Sequence, residues 1–277
     1  MKDKKGKIIS IIIIVFLLIA IGILIGNILS KEKKEITVAE DFIEELLNKN
    51  IINDYKTNKE TLQDISLNKL GSKNSQIKYS VIVGNYGVDI DENYEVLGFS
   101  NKNIRVLNSK EIISQEDAKK LATGYVSEIT EDKFIFKEVK NNEEEKAPYY
   151  TVVFFECKDG YPIFNQEIIA MIDKVSGKLE GYSNYSTVNK ETINIIDIEE
   201  EKAKEIVAKY FRELNIDLQK INKIYLSYVE NDNNELVLSY VFNIVGSEND
   251  TMKDNIYSIF VRADTGEIIN LNSEIKN

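Results

Sequence analysis

After residue 30, one helical pattern occurs three times in the sequence, and this repeat constrains the fold more than any other feature. Apolar residues recur at steps of three and four, which predicts an amphipathic helix. The pattern returns after a shift of 79 residues and again after a further 85. The three stripes are Ala39, Phe42, Ile43, Leu46, Leu47; Ala118, Leu121, Ala122, Tyr125, Val126; and Ala203, Ile206, Val207, Tyr210, Phe211.

Each predicted helix begins at a polar start signal. Ser114 is placed to cap the second helix, with Asp117 three residues further on. Thr37 and Glu40 have the spacing of a capping box for the first helix. The acidic run Glu199 to Glu201 suits the N-terminus of the third helix, where negative charge is favourable.

A strand, an Asp-led turn and a closing strand follow each helix about sixty residues later. Gly177 and Gly266 supply the positive backbone dihedral that a tight turn with a bulge needs, and Asp173 and Asp264 are placed to accept hydrogen bonds from turn amides. The hairpins cover Tyr86 to Asn101, Ile168 to Asn184 and Ser258 to Leu271; further strands are predicted at Phe134 to Val139, Tyr149 to Glu156, Ile221 to Val229 and Glu235 to Val245, with a turn at Asn231 to Asn234.

These elements predict an α+β protein in which each unit is a helix packed on a small antiparallel sheet. We expect three such units, at 36–108, 109–193 and 194–277. Residues 1–30 are expected to form a cytoplasmic tip and a membrane anchor.

The anchor is predicted from an uncharged apolar run, Ile8 to Leu29, which would reach about 33 Å as a helix and so cross a bilayer. Lys2, Lys4, Lys5 and Lys7 precede the run, which favours a cytoplasmic N-terminus and an extracytoplasmic remainder. A cleavable signal peptide is the alternative, but the run is too long and Gly26 to Ser30 offers no small-x-small site. No cysteine lies near Ser30 for lipid attachment.

Gly22 and Gly26 form a Gly-x-x-x-Gly spacing inside this run, and such a spacing lets two membrane helices approach closely. They are therefore possible helix-helix contact residues. Glycine is also common in membrane helices for other reasons, and this interpretation is left open.

Charge narrows the choice of partner. The residues after 30 carry 31 Lys and Arg against 45 Asp and Glu, a net charge of −14. Nucleic acid would be repelled, whereas a basic protein partner would be attracted. The single cysteine, Cys157, excludes an internal disulfide and is expected to be a small buried residue.

The sequence offers no catalytic constellation. It has no histidine, so the commonest general base, the usual nucleophile pairs and the usual zinc ligands are missing. Phosphate-binding and dinucleotide-binding glycine loops are also missing. Asp89 to Glu95 resembles the start of a calcium loop, but Tyr94 and Ser100 stand where a glycine and a bidentate glutamate are needed. We expect neither enzymatic activity, nor a metal, nor a cofactor. Tyr149, Tyr150, Tyr182 and Tyr185 are equally consistent with sheet packing and with a binding surface.

The capped helix, the strands and the closing hairpin with Asp264-Thr-Gly266-Glu-Ile268 resemble the PepSY superfamily of small extracytoplasmic domains. Within it, the anchor, Gly160 to Asn165, Gly181 to Ser183 and Leu236 to Phe242 look like the YycH/YycI regulatory proteins. Tyr240 stands where that family often has tryptophan, which leaves a YpeB-like relative as an alternative.

The resemblance implies a cell-membrane protein that modulates an envelope sensor histidine kinase of a two-component system by protein-protein contact, with a homologous regulator as a possible hetero-partner. The alternative implies a binding partner, chaperone or inhibitor of an exported cell-wall hydrolase or protease. Both classes act through contact and can use exposed sheet edges.

Overall fold

The fold is described from a computed structural model, for residues 34–53, 76–103, 112–141, 147–185, 191–248 and 254–275. The chain divides between residues 104 and 105 into two compact units. We call the described part of the first the N-terminal unit. The second contains module A, residues 112–185, and module B, residues 191–275. The predicted bounds 36–108, 109–193 and 194–277 stay a prediction.

The N-terminal unit packs one helix on three antiparallel strands. Helix α1 is Lys34–Asn48, and strands β1 to β3 are Tyr79–Val83, Tyr86–Ile90 and Val96–Asn101. The predicted stripe is buried at Ala39, Ile43 and Leu46, and the Phe42 ring lies 5.7 Å from the Phe99 ring. The predicted capping box is wrong, because Thr37 lies inside the helix.

Module A has the order helix, then four antiparallel strands. Its elements are α2 Gln115–Ile129, β4 Lys133–Lys140, β5 Tyr149–Lys158, β6 Tyr161–Asp173 and β7 Leu179–Asn184. The strands pair in the order β4-β5-β6-β7. Ala118, Ala122 and Val126 are fully buried, as the helical stripe predicts.

Module B repeats this arrangement. Its elements are β8 Thr192–Ile193, α3 Glu200–Glu213, β9 Ile216–Glu230, β10 Leu236–Glu248, β11 Asp254–Arg262 and β12 Ile268–Ile275. Strands β9 to β12 form an antiparallel sheet in chain order, and β8 runs parallel to the start of β10. Ala203, Val207 and Phe211 of α3 are fully buried in its core.

A β-bulge lies at the same place in each closing hairpin. The pairing skips one residue, at Leu97 between β2 and β3, Glu180 between β6 and β7, and Ile269 between β11 and β12. Counted from the bulge, Tyr79, Tyr150 and Tyr240 occupy one and the same position in β1, β5 and β10. A bulge adds a residue and increases local twist, so it shapes each sheet in the same way.

The start of each helix in modules A and B is bound to its hairpin turn. The amides of Ile112 and Ile113 donate to the Lys174 carbonyl at 3.0 Å, and the amides of Asp197 and Ile198 donate to the Ala263 carbonyl at 2.9 and 2.8 Å. Lys174 and Ala263 are therefore equivalent positions. The Ser114 hydroxyl accepts the Asp117 amide at 3.1 Å, which confirms the predicted cap. Hydrogen bonds to Ser114 lower the pKa of the Asp117 carboxyl.

The predicted hairpin turns are confirmed in their glycines and partly in their aspartates. Gly177 and Gly266 have φ of 71° and 77°. Asp173 Oδ1 accepts the amides of Val175 and Ser176 at 3.0 and 2.6 Å. Asp264 instead binds Arg262 through both carboxylate oxygens, and it also accepts the neighbouring Thr265 amide.

The chain is thus a mixed α+β protein dominated by antiparallel sheet, with three helices in the described residues. None of these helices has the length and apolarity to cross a bilayer. The predicted anchor, Ile8 to Leu29, lies outside the described residues, and so do Gly22 and Gly26.

Candidate functional site

The acidic segment that resembles a calcium loop is a hairpin turn. Asp91 Oδ1 accepts the amides of Asn93 and Glu95, both at 2.8 Å, and Oδ2 accepts the Asn93 side-chain amide at 3.1 Å. Asn231 makes the same two backbone contacts in the β9–β10 turn through an uncharged oxygen. The geometry therefore needs an oxygen acceptor and no ion. Among the described residues no three His, Cys, Asp or Glu side chains cluster as metal ligands.

Cys157 is half-buried on β5, where we expected a fully buried residue. Burial, followed by the charge of Glu156, raises the pKa of its thiol. A thiol that acts as a nucleophile needs a lowered pKa, so this environment does not activate the sulfur.

The four candidate tyrosines do not form one surface. Tyr150 and Tyr182 are buried at 2% and 4% exposure, whereas Tyr149 is half-buried and Tyr185 is exposed. Burial raises the pKa of Tyr182 to about 12. The sheet-packing interpretation therefore holds for Tyr150 and Tyr182.

The segment Gly160 to Asn165 joins module A to module B. Ile163 at the start of β6 is 1% exposed and pairs in parallel with Tyr228 of β9. The Ser227 hydroxyl donates to the Pro162 carbonyl at 2.9 Å, and the Phe164 ring lies 4.6 Å from the Phe260 ring. One of the segments on which the YycH/YycI resemblance rests, Gly160 to Asn165, thus pairs with the outer edge of β9.

A polar cleft of about 310 Å³ lies beside Arg262 in module B. The guanidinium donates to both carboxylate oxygens of Asp264, at 2.9 and 2.6 Å, and Nη1 lies 3.6 Å from Glu267 Oε2. Because two carboxylates already neutralise this arginine, it offers little to an anionic ligand.

The outer edge of module A has the features of a binding surface. In the part of the chain that the structure describes, β4 pairs only with β5, so one side of its backbone has no partner strand. Ile135 and Phe136 on this strand are exposed at 45% and 39%. Sheet edges with large exposed apolar side chains are sites where another chain can pair.

Ile135 and Phe136 lie on opposite faces of the sheet. The rings of Phe134 and Phe136 lie 5.0 and 6.2 Å from the buried Phe154 ring, so both phenylalanines share the helix-facing side of the sheet. Lys119 of α2 places its ammonium 4.3 Å from the centre of the Phe136 ring. Ile135 points to the opposite side, because side chains alternate along a strand.

Positive charge surrounds these apolar residues. Lys133 and Lys140 stand at the two ends of β4, and Lys137 stands in its middle. Lys137 pairs with Glu167 and lies 3.8 Å from Glu138, and Lys140 lies 3.3 Å from Glu138. Among the described residues, no carboxylate lies within ion-pair distance of Lys133 or Lys119. The β4 edge, defined by Lys133 to Lys140, thus carries three lysines and one glutamate on a chain of net charge −11.

Strand β9 is the equivalent edge in module B and provides an internal comparison. Both strands carry a bulge at the same place, at Lys137 and at Asn222. Ile135 and Phe136 correspond to Lys220, which is exposed and polar, and Ile221, which is half-buried. The exposed apolar pair is therefore particular to β4 and is not a requirement of the fold.

Sequence reasoning predicted β4 as a strand but did not single out Ile135 or Phe136. The available signal was the run Lys133-Phe-Ile-Phe-Lys137, in which consecutive apolar residues between lysines break the alternation of a half-buried strand.

No protein-family model matches the chain, and no protein with a curated description matches its sequence. Among solved structures, the chain is similar to the YpeB C-terminal domain of Bacillus megaterium, with 22% sequence identity and a TM-score of 0.49. The match covers 74% of this chain and 87% of that domain.

Proposed function

We propose that this protein is a non-enzymatic, membrane-anchored extracytoplasmic regulator that acts by contact with a protein partner through the β4 edge. The observation that carries the proposal is the open edge of β4 with its exposed Ile135 and Phe136. An added strand gains main-chain hydrogen bonds along such an edge, and the exposed side chains supply specificity.

Two classes of partner follow from the sequence. The first is an envelope sensor histidine kinase of a two-component system, which the YycH/YycI resemblance implies. A regulator shifts a kinase between states only by as much as it binds those states with different free energy. The second is an exported cell-wall hydrolase or protease, which the PepSY resemblance also implies. We favour the kinase because the predicted anchor with Gly22 and Gly26 would add a helix contact within the membrane.

The proposal is tested by site-specific crosslinking in the cell of origin. A photoreactive phenylalanine analogue replaces Ile135 in the full chain, and the same analogue replaces Lys220 as the matched control on β9. We expect position 135 to capture a membrane kinase or an exported hydrolase, identified by mass spectrometry, and position 220 to capture much less. Equal capture at the two positions, or capture of neither protein class, contradicts the proposal.

A substitution tests the functional consequence. Ile135→Lys gives β4 the residue that β9 carries at Lys220, so the fold tolerates it, whereas the added charge removes the exposed apolar contact. We expect the variant to change the output of the two-component system without changing the unfolding midpoint of the protein. Lys220→Ala is the control and should leave the output unchanged.

A further inference from the structure

We infer that the β4 edge selects an extended partner segment that is apolar at its centre and carries carboxylates at its ends. This inference rests on the proposed function and adds the chemistry of the partner to it. Lys133 and Lys140 bracket Ile135 and Phe136, so the edge presents a positive, apolar, positive pattern along one strand. Opposite charges directly across two strands are favourable, and like charges are unfavourable.

The same pattern argues against a second copy of this chain as the occupant. Antiparallel pairing of two β4 strands over their full length would place Lys133 opposite Lys140 at both ends. Lysines on edge strands are a common device against such self-pairing. Lys133 and Lys140 repel a strand with basic ends and attract a strand with acidic ends.

Strand addition has a precedent within this molecule. Strand β9, the counterpart of β4, accepts the Ile163 segment in parallel at Tyr228, with the Ser227 hydroxyl bound to the Pro162 carbonyl. Strand β9 pairs in this way although it has a bulge at Asn222, the position that corresponds to the bulge at Lys137 in β4. This contact lies beyond the stretch of β9 that corresponds to β4, so it shows that a bulged strand of this fold can pair further along its edge.

Several carboxylates compete for the lysines, because Glu131 and Asp132 directly precede Lys133 in the chain and two others contact the strand's lysines. Glu167 pairs with Lys137, and Glu138 lies near both Lys137 and Lys140. Glu167 and Glu138 therefore weaken the attraction of a partner carboxylate to Lys137, in the middle of β4, and to Lys140, at one end. Lys133 forms no ion pair among the described residues, and Lys119 adds a second cation beside Phe136.

Two synthetic peptides test the inference on the full chain. Each has eight residues, alternating valine and threonine with one central tryptophan; one has glutamate at both ends and the other has lysine at both ends. Because this protein has no tryptophan, the peptide fluorescence reports binding without background. We expect the glutamate-ended peptide to bind about fivefold more tightly, and the preference to shrink as salt is added.

Charge reversal supplies the decisive control. The double variant Lys133→Glu with Lys140→Glu should reverse the preference, so that the lysine-ended peptide binds more tightly. The matched variant Lys220→Glu with Lys223→Glu on β9 should leave the preference unchanged. A purely structural role for Lys133 and Lys140 would change stability but could not reverse the order of the two peptides.

The outcomes separate this inference from the proposed function. Equal binding of both peptides, lost in Ile135→Lys, overturns the charge selection and keeps β4 as a binding edge. Binding of neither peptide overturns the inference, and the crosslinking experiment then decides the proposed function separately. Binding that persists in Ile135→Lys and does not respond to charge reversal contradicts both.

Discussion

Modules A and B place different residues at equivalent points of one fold. At the hairpin turn, module A has Lys174, 1% exposed with its ammonium 5.0 Å from the Tyr150 ring, where module B has Ala263. At the closing bulge, module A buries Glu180, whereas module B has Ile269. At the outer edge, module A exposes Ile135, whereas module B exposes Lys220. Module A thus buries charge and exposes apolar surface where module B does the reverse.

The comparison shows that the repeat specifies an architecture and leaves its surface free to vary. Bulges, the helix-to-turn hydrogen bonds and the tyrosine on the second strand recur, because they determine how the backbone packs. Apart from the turn glycines, the side chains compared above at the edge and the turn do not recur. A residue that differs between the modules at such a position therefore has a role other than folding. On β4 the differing residues are apolar and exposed.

The largest expected effect comes from the ends of the two helices. Phe211→Ala removes a fully buried ring that packs edge-to-face on Tyr257 at 5.4 Å, and it should destabilise the protein by about 3–5 kcal/mol. The equivalent change in module A, Val126→Ala, removes less volume and should cost less. Urea unfolding measures both. An equal or greater loss for Val126→Ala would show that the two cores do not correspond.

Alkaline pH gives the next effect and acts on both modules, because burial raises the pKa of Tyr182 in module A and of Tyr228 in module B to about 12 from 10.0. The unfolded chain ionises each tyrosine first, so its contribution is fully present below pH 10 and is lost as pH rises toward 12. For Tyr182 the loss amounts to at most about 2–3 kcal/mol of unfolding free energy. Tyr182→Phe should flatten this part of the stability profile. A profile that stays equally steep in the variant would contradict the assignment to Tyr182.

The turn glycines should give a smaller and graded effect. Gly177→Ala and Gly266→Ala each force a side chain onto a positive φ, at a cost of about 1–2 kcal/mol. The added Cβ would lie 3.0 Å from Leu121 Cδ1 in module A and 2.8 Å from Ile206 Cδ1 in module B. We therefore expect Gly266→Ala to lower the thermal midpoint more. Gly124→Ala, a helical position with open space, is the control and should be neutral or slightly stabilising.

The helix caps give the smallest expected effect. Ser114→Ala removes a side chain that accepts the Asp117 amide, and such a loss costs about 1 kcal/mol. Glu199 occupies the same position in module B without a capping hydrogen bond, so Glu199→Ala should be nearly neutral. Thermal unfolding of the two variants measures the difference. Equal shifts would mean that the Ser114 contact does not contribute.

Much of the fold could be predicted because its signals are local. The stripe around Ala118 and Ala203 follows the helical period, and Gly177 and Gly266 mark turns that need a positive φ. The candidate site was not predicted. The consecutive apolar residues Phe134 to Phe136 mark an unusual strand, but the exposure of Ile135 and Phe136 depends on which strands pair beside them.

The sequence by itself determined the three helix-and-sheet units, because helical periodicity, caps and turn glycines act over a few neighbouring residues. Only the tertiary structure decided that Gly160 to Asn165 joins the modules, that Asp264 pairs with Arg262, and that one edge of β4 has no partner strand among the described residues. The physical reason is that strand pairing and burial depend on residues far apart in the chain. An edge becomes a binding surface only when the rest of the sheet leaves it uncovered.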